Sequence, residues 1–298
     1  MNKPALKRTW RTAVVLLAGL LGAAALPAAP ATAVHGAVPG DFNGDGYRDA
    51  VLPAPGADVA GKERAGAVVV LYGAKKGPTA TRRALITQNT AGVPDTAETG
   101  DGFGSATATA DLDRDGYADM IVGAPFESTA RGEDAGSVTV LWGSRSGLTT
   151  GTDLPPSAAP GMDPYHYGAD IAAIREASAA RSEILVASRG GAVRFTGPFT
   201  RTGGHGPATV AQDSVPDASE TEDRFGTTVA VGDVTRDGRP ELFVGAAGEN
   251  NYTGAVWTFP GFTAGPVAAR SQVFTAASVG LTQQSLTLLG GYGLGWVI

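Results

Sequence analysis

Cysteine is absent from this chain, aromatic residues make up only 7%, and Lys and Arg together number 23 against 29 Asp and Glu, leaving a formal charge of −6. Each shortage excludes something. With no cysteine there are no disulfides, so the fold must be held by sheet packing, by bound metal, or by both. With no basic cluster outside the N-terminal segment, neither nucleic acid nor an anionic membrane surface is expected as a partner, because both reward clustered Lys and Arg. Histidine is scarce too. His35, His166 and His205 stand in irregular stretches without H-E-x-x-H spacing, and no G-x-S-x-G elbow occurs, so no catalytic set presents itself. An unbroken spanning run is also missing: the apolar stretch from Ala13 to Leu26 meets Pro27 and Pro30 before it reaches the roughly 20 residues a membrane helix needs.

That stretch follows Lys3, Lys7, Arg8 and Arg11 and precedes Ala31-Thr32-Ala33, small residues at the A-x-A positions of a cleavage site. Residues 1–33 therefore read as a secretory signal peptide. The mature chain is expected to begin near Val34, to be secreted, and to make no membrane insertion once the signal is removed. Residues 34–298 then form one domain.

What the sequence has in plenty is glycine, 43 residues, with 19 prolines, and β-branched residues in short runs between them. That pattern favours many short strands. Self-similarity organises these strands. VPDTAETGDGFG at 93–104 recurs as VPDASETEDRFG at 215–226, and the same displacement carries Asp111 to Asp233, Asp115 to Asp237, Gly116 to Gly238 and Gly123 to Gly245. A weaker copy follows Tyr167-Gly168, and GDFNGDGYRDAVLPAP opens the domain with a fourth. The units span about 38–92, 93–156, 157–214 and 215–298.

Each unit runs through an FG or YG dipeptide, an alternating segment, an acidic loop or its remnant, a short apolar run, a variable loop and a second apolar run ending in glycine. A further segment completes about four strands. Four-stranded units repeated radially are the blade plan of an all-β β-propeller. The first unit lacks its FG strand, while Tyr292-Gly293 near the C-terminus supplies a spare one. The last strand is expected to complete the first blade and close the ring, leaving no sheet edge free; the alternative is a chain that stops early in a fifth blade.

The acidic loops carry the chemistry. The first presents Asp41, Asn43, Asp45, Tyr47 and Asp49; the second Asp111, Asp113, Asp115, Tyr117 and Asp119; the fourth Asp233, Thr235, Asp237, Arg239 and Glu241. Side-chain oxygens fall at positions 1, 3, 5 and 9, with glycine at position 6 (Gly46, Gly116, Gly238). A hard cation such as Ca²⁺ takes six to eight oxygens. A tight loop can converge alternate side chains and the position-7 carbonyl on one centre if a residue near its middle accepts a left-handed backbone, as glycine does. An EF-hand shares the opening but needs a bidentate Glu at position 12 between helices. Here Leu52, Val122 and Val244 stand there, inside strand patterns. Metal-free Asp-Gly turns are the plain alternative, opposed by the mutual repulsion of so many carboxylates. The third unit has Arg175, Ala177, Ala179 and Glu183 at the matching places, so no metal is expected in it.

Phe103-Gly104, the D-x-D-x-D-G-x-x-D loop at 111–119 and Gly123-Ala124-Pro125 resemble the FG-GAP repeat, found in the N-terminal propeller of integrin α chains and in related exported bacterial proteins. The resemblance implies calcium loops on one face of a propeller, with ligands from positions 1, 3, 5, 7 and 9, and a ligand-binding opposite face. Integrin propellers have seven blades where this chain shows four units, and the other GAP positions read PAP, ASR and GAA.

Successive connections in an up-and-down sheet alternate ends, so the long loops PGADVAGKERAG, PFESTARGEDAG and GAAGENNYTG and the inter-unit connectors are expected opposite the metal loops. A rigid frame carrying varied loops is where binding concentrates. The leading expectation is a secreted, calcium-stabilised, integrin-like propeller that binds an extracellular protein or glycan without catalysis. Two alternatives stand beside it: an exported hydrolase, since the resemblance extends to glycosylphosphatidylinositol-specific phospholipase D, and a self-associating matrix or wall component. Trp142 and Trp257, at matching strand positions, are expected in the core.

Overall fold

Short apolar runs become strands, and the strands pair antiparallel in chain order. The computed structural model describes residues 38–155, 165–175, 182–188, 191–197, 199–202, 207–211, 215, 222–260, 271–282, 286–291 and 294. The expected signal peptide lies outside the described residues, as do Ala177 and Ala179 of the third unit. Among the described residues there are four separate sheets. The first holds β1 (Ala50–Ala54), β2 (Ala67–Leu71) and β3 (Arg83–Ile86); the second β4 (Ala106–Ala110), β5 (Asp119–Ala124), β6 (Ser137–Trp142) and β7 (Thr150–Asp153). The third holds β8 (Ile171–Arg175), β9 (Ser182–Ser188), β10 (Gly191–Thr196) and β11 (Pro207–Ala211); the fourth β12 (Phe225–Gly232), β13 (Glu241–Ala246), β14 (Ala255–Phe259) and β15 (Gln272–Thr275). One helical turn, α1 (Glu249–Tyr252), interrupts the all-β pattern, and Asn250 and Asn251 within it are left-handed. No helix among the described residues is long and apolar enough to cross a membrane.

The hydrophobic core is divided among the spaces between consecutive sheets. Val68, Val70 and Ile86 of the first sheet meet Met120, Val122 and Leu141 of the second. Ile121, Val140 and Trp142 on the other side of that second sheet meet Ile171, Ile184, Val186 and Phe195 of the third. Ala187 and Ala192 of the third meet Leu242, Val244, Trp257 and Phe259 of the fourth. A strand with a neighbour on both faces should read as a continuous apolar run, and all six residues of β5 are buried. Both tryptophans are core residues, with Trp257 edge-on to Phe225. Sheets stacked face to face in this way are the blades of a β-propeller.

The FG dipeptide sets how closely blades approach. Phe103 donates its N–H to Ala65 O of the preceding blade at 2.9 Å, and Tyr167 does the same to Ala135 O at 3.1 Å. The glycine that follows donates to the GAP position of its own blade, Gly104 to Gly123 O and Gly168 to Ala187 O, both at 2.9 Å. Gly168 also lies so close to Gly123 of the blade before it that a Cβ on Gly123 would enter the Gly168 carbonyl oxygen. Gly123 must therefore be glycine at this junction.

The same contacts recur near the C-terminus. Leu289 donates to Thr253 O at 3.0 Å and bridges Gly254, as Phe103 bridges Gly66, and Gly290 packs on Gly245 as Gly168 packs on Gly123. Leu289-Gly290 therefore makes the contacts of an FG dipeptide after the fourth blade, while Tyr292-Gly293 lies outside the described residues. The site asks for an apolar residue and a glycine of positive φ, which Gly290 supplies at +74°. Ring closure by the last strand lies outside the described residues. In the first sheet, Leu52, Val69 and Leu85 form a cross-strand row facing away from the second sheet, with Leu52 and Leu85 exposed.

Gly123→Ala is expected to lower unfolding stability by about 1–3 kcal/mol, the usual cost of overpacking, read from a urea titration at fixed Ca²⁺. An unchanged midpoint would contradict the close blade approach.

Candidate metal centres

The second and fourth acidic loops lie at one end of their sheets, because each joins the first and second strands: Ala110 pairs with Asp119, and Gly232 with Glu241; the first loop leads into β1, the first described strand of its sheet. The opposite end, where Ala124 pairs with Ser137, carries the longer loops. Neighbouring acidic loops touch. Ala118 donates to Asp41 O at 2.9 Å, and Ser144 to Phe42 O at 3.1 Å.

Inside each loop the backbone turns twice through the left-handed region, at position 6, as expected, and also at position 4: Gly44 at +70°, Arg114 at +65° and Arg236 at +59°. Two such turns bend the chain enough that its own N–H groups reach the first carboxylate. Asp41 accepts from Gly44 at 2.7 Å, Asp45 at 3.2 Å and Gly46 at 2.8 Å; Asp233 accepts from Asp237 at 3.1 Å and Gly238 at 2.9 Å. Position 5 accepts from position 7, Tyr47, Tyr117 and Arg239 donating at 2.9–3.0 Å.

Position 9 closes the loop. Asp49 accepts from Phe42 at 2.9 Å and from Gly73, beyond β2, at 2.8 Å; Asp119 accepts from Leu112 at 2.7 Å and Gly143, beyond β6, at 2.8 Å. Glu241, one methylene longer, binds Val234 at 2.8 Å and the Thr235 hydroxyl at 3.0 Å. This carboxylate ties loop to sheet whether or not an ion is bound, and each oxygen keeps a lone pair for one.

In the second loop, carboxylate oxygens of Asp111, Asp113 and Asp115 lie within 4.8 Å of one another, a spacing that donors around a single hard cation can adopt. Asp119 is 0% exposed, and burial, reinforced by the charges of Asp113 and Asp115, pushes its carboxyl up to about 8 against the pull of its two N–H donors. Burial likewise raises Asp115 and Asp49. In the first loop Asp45 goes the other way, held down by its bond from Tyr47 and by Arg82, which outweigh burial.

Sequence reasoning missed two arginines. Arg201, from the connection after β10, places Nε 2.7 Å from Asp113, pairs a terminal nitrogen with Asp115, and donates to Gly143 O at 2.9 Å while lying over the Trp142 ring. Arg82 pairs with Asp45 at 3.0 Å and donates to Gly73 O at 2.8 Å. Neither stands at a repeat-related position, so no spacing in the sequence announces them. A guanidinium and a cation answer the same excess of negative charge, and an ion in the second loop would share Asp113 and Asp115 with Arg201. The side chains of Arg175 and Glu183 lie outside the described residues, so the third blade adds nothing to this comparison.

The FG-GAP repeat family matches residues 33–71, 103–141 and 225–259, which carry the three acidic loops and leave the third sheet unmatched. Phosphatidylinositol-glycan-specific phospholipase D of Mus musculus is 36% identical over 107 residues, covering 36% of this chain and 12% of that protein; the Bos taurus protein is 35% identical over 108 residues, covering 36% and 13%. Integrin alpha-7 of Mus musculus is 27% identical over 191 residues, covering 64% of this chain and 11% of that protein. The chain thus spans about an eighth of the length of the curated relatives it matches.

The raised Asp119 sets a pH dependence. Its folded pKa lies above the unfolded value near 4, so the stability conferred by the retained proton is complete below about pH 4 and is lost as pH rises towards 8. In chelator, the melting temperature is expected to be higher at pH 5 than at pH 8. Saturating Ca²⁺, which competes with that proton, should flatten or reverse the order; a profile indifferent to calcium would contradict ion binding here.

Proposed function

Because the chain carries FG-GAP repeats in three of its four sheets, we propose that it is a secreted, calcium-binding, integrin-like propeller that binds an extracellular protein or glycan through the loop end opposite its acidic loops. The observation that carries the calcium part is the convergence of Asp111, Asp113 and Asp115 in a loop whose pattern recurs at 41–49 and 233–241. Calcium is a brace in this reading: an ion held by positions 1, 3 and 5, beside a position-9 carboxylate already bonded beyond the following strand, fixes the first hairpin of a blade against its third strand. The integrin-like likeness supports adhesion as the role. The net charge of −6 supports a partner other than nucleic acid.

Binding confined to the folded state stabilises by mass action, about 2.7 kcal/mol for one site at a hundredfold excess over Kd. Melting in Ca²⁺ against EGTA is expected to show a clear upward shift, reduced by Asp113→Asn with Asp115→Asn. Equal melting curves with and without the ion would sink the calcium reading. For the partner, immobilised protein probed with glycan and extracellular-matrix panels should show binding that is lost on substituting the 125–136 loop and kept in a folded 111–119 variant.

The likeness to phospholipase D supports a second reading, an exported hydrolase. Turnover of phosphodiester or ester substrates, abolished by a single carboxylate substitution, would favour it over the binding module.

A further inference from the structure

At the opposite end of the second blade, away from the acidic loops, a second group of carboxylates comes together. Glu98 and Asp101 lie on the connector from the first blade, and Glu127 lies on the loop from β5 to β6. Their carboxylate oxygens fall within 4.8 Å of one another. Glu127 is 1% exposed and Asp101 2%, while Glu98 opens to solvent. Among the described residues no Lys or Arg is within ion-pair distance of any of the three. Lys62 influences Asp101 only through space, and Arg131 is engaged with Gly136 O and the Tyr167 ring. Like charges gathered and buried without a countercharge are strongly unfavourable.

Gln88, at the end of β3, supplies an independent sign. It is 2% exposed, and its amide lies against this cluster, with Nε2 donating to Glu127 Oε2 at 2.5 Å. Its other polar atom, Oε1, is buried with no hydrogen-bond partner. An amide oxygen in that state normally signals a missing donor. A cation among the carboxylates would supply it: turning the amide over exchanges Nε2 for Oε1, and the oxygen then joins the carboxylates around the ion.

We propose that Glu98, Asp101, Glu127 and the Gln88 amide oxygen form a divalent-cation site at the junction of the first and second blades, separate from the acidic loops. The donors are all oxygen, which selects a hard ion. Three carboxylates favour Ca²⁺ over Mg²⁺, which tends to keep its waters and to bind through few carboxylates. The elements it would join are distinct. The connector is already laced to the first blade by Gly100 N to Glu63 O, Gly102 N to Arg64 O and Phe103 N to Ala65 O, and Phe126 N reaches Asp101 O at 3.3 Å. An ion would bind this connector to the long loop of the second blade, on the end proposed to meet a partner. The residue types recur in the fourth unit as Gln212, Glu220, Asp223 and Glu249, of which Asp223 and Glu249 are buried, and Gly248 N donates to Asp223 O as Phe126 N does to Asp101 O. Gln212 and Glu220 lie outside the described residues.

Calcium bound per chain, counted by equilibrium dialysis, tests the site on the full-length mature protein. Glu127→Gln is expected to lose one ion relative to the unaltered protein, and the pair Asp113→Asn, Asp115→Asn to lose a different one, so that the combined variant lacks both. Glu98→Gln, at an exposed position that leaves the fold intact, should weaken the same site about tenfold or more. Melting curves at pH 9 add a readout that a purely structural role would not move in this way: Glu127→Gln should raise the melting temperature in EGTA, where it removes a buried charge, and lower it in saturating Ca²⁺. An unchanged ion count in both Glu127→Gln and Glu98→Gln overturns the proposal, as does a Glu127→Gln shift of the same sign with and without calcium. Loss of ions only from the 111–119 variant would overturn this site while leaving the acidic-loop reading intact.

Discussion

The approach of one blade to the next, set by backbone bonds from the FG or YG segment and, between the second and third sheets, by a glycine against a glycine, is the constraint on which the rest of this molecule depends. Phe103 and Tyr167 anchor on the backbone of the preceding blade, and after Tyr167 the glycine Gly168 lies against Gly123, where a Cβ on Gly123 would enter the Gly168 carbonyl oxygen. That contact fixes the gap that Trp142, Phe195 and their neighbours fill. It also brings consecutive connectors and loops to the same two ends. Without it, neither the row of acidic loops nor the junction around Glu127 would assemble.

Charge is handled differently at the two ends. In the acidic loops, carboxylates are surrounded by donors from their own backbone: Asp41 and Asp233 draw in turn N–H groups, and Asp49 and Asp119 reach beyond the next strand to Gly73 and Gly143. Arg82 and Arg201 neutralise part of the remainder. Glu127 has one amide donor, and burial with the nearby charge of Asp101 pushes its carboxyl up to about 8. The carboxylates at the acidic-loop end are therefore largely satisfied by the protein itself, whereas the opposite end concentrates acidic groups without a countercharge at the junction of two blades. A divalent ion there would couple the loop end proposed for partner binding to the sheet framework beneath it.

Much of this was legible in one dimension because repeats make residue spacing a structural measurement. Asp111, Asp113 and Asp115 fall at alternate positions of a loop with Gly116 at its centre, and they do converge. What spacing could not reveal is contact between units. Arg201 reaches Asp113 from the next blade, and the buried pair of Asp101 and Glu127 sits in two segments that, taken separately, read only as varied loops. Leu289-Gly290 was overlooked for a related reason: the FG site requires an apolar anchor and a left-handed glycine, and leucine meets the first requirement without resembling phenylalanine.

The sequence by itself determined that the chain is all-β, which short runs hold its strands, and which loops hold enough oxygen for a metal, since these follow from local periodicity, turn chemistry and repetition. Only the tertiary structure decided which arginine answers which aspartate, why Gly123 must be glycine, and that three acids and an amide from three segments share one space. Those outcomes depend on distances between blades, and blade spacing is a property of packed backbones that no single segment encodes.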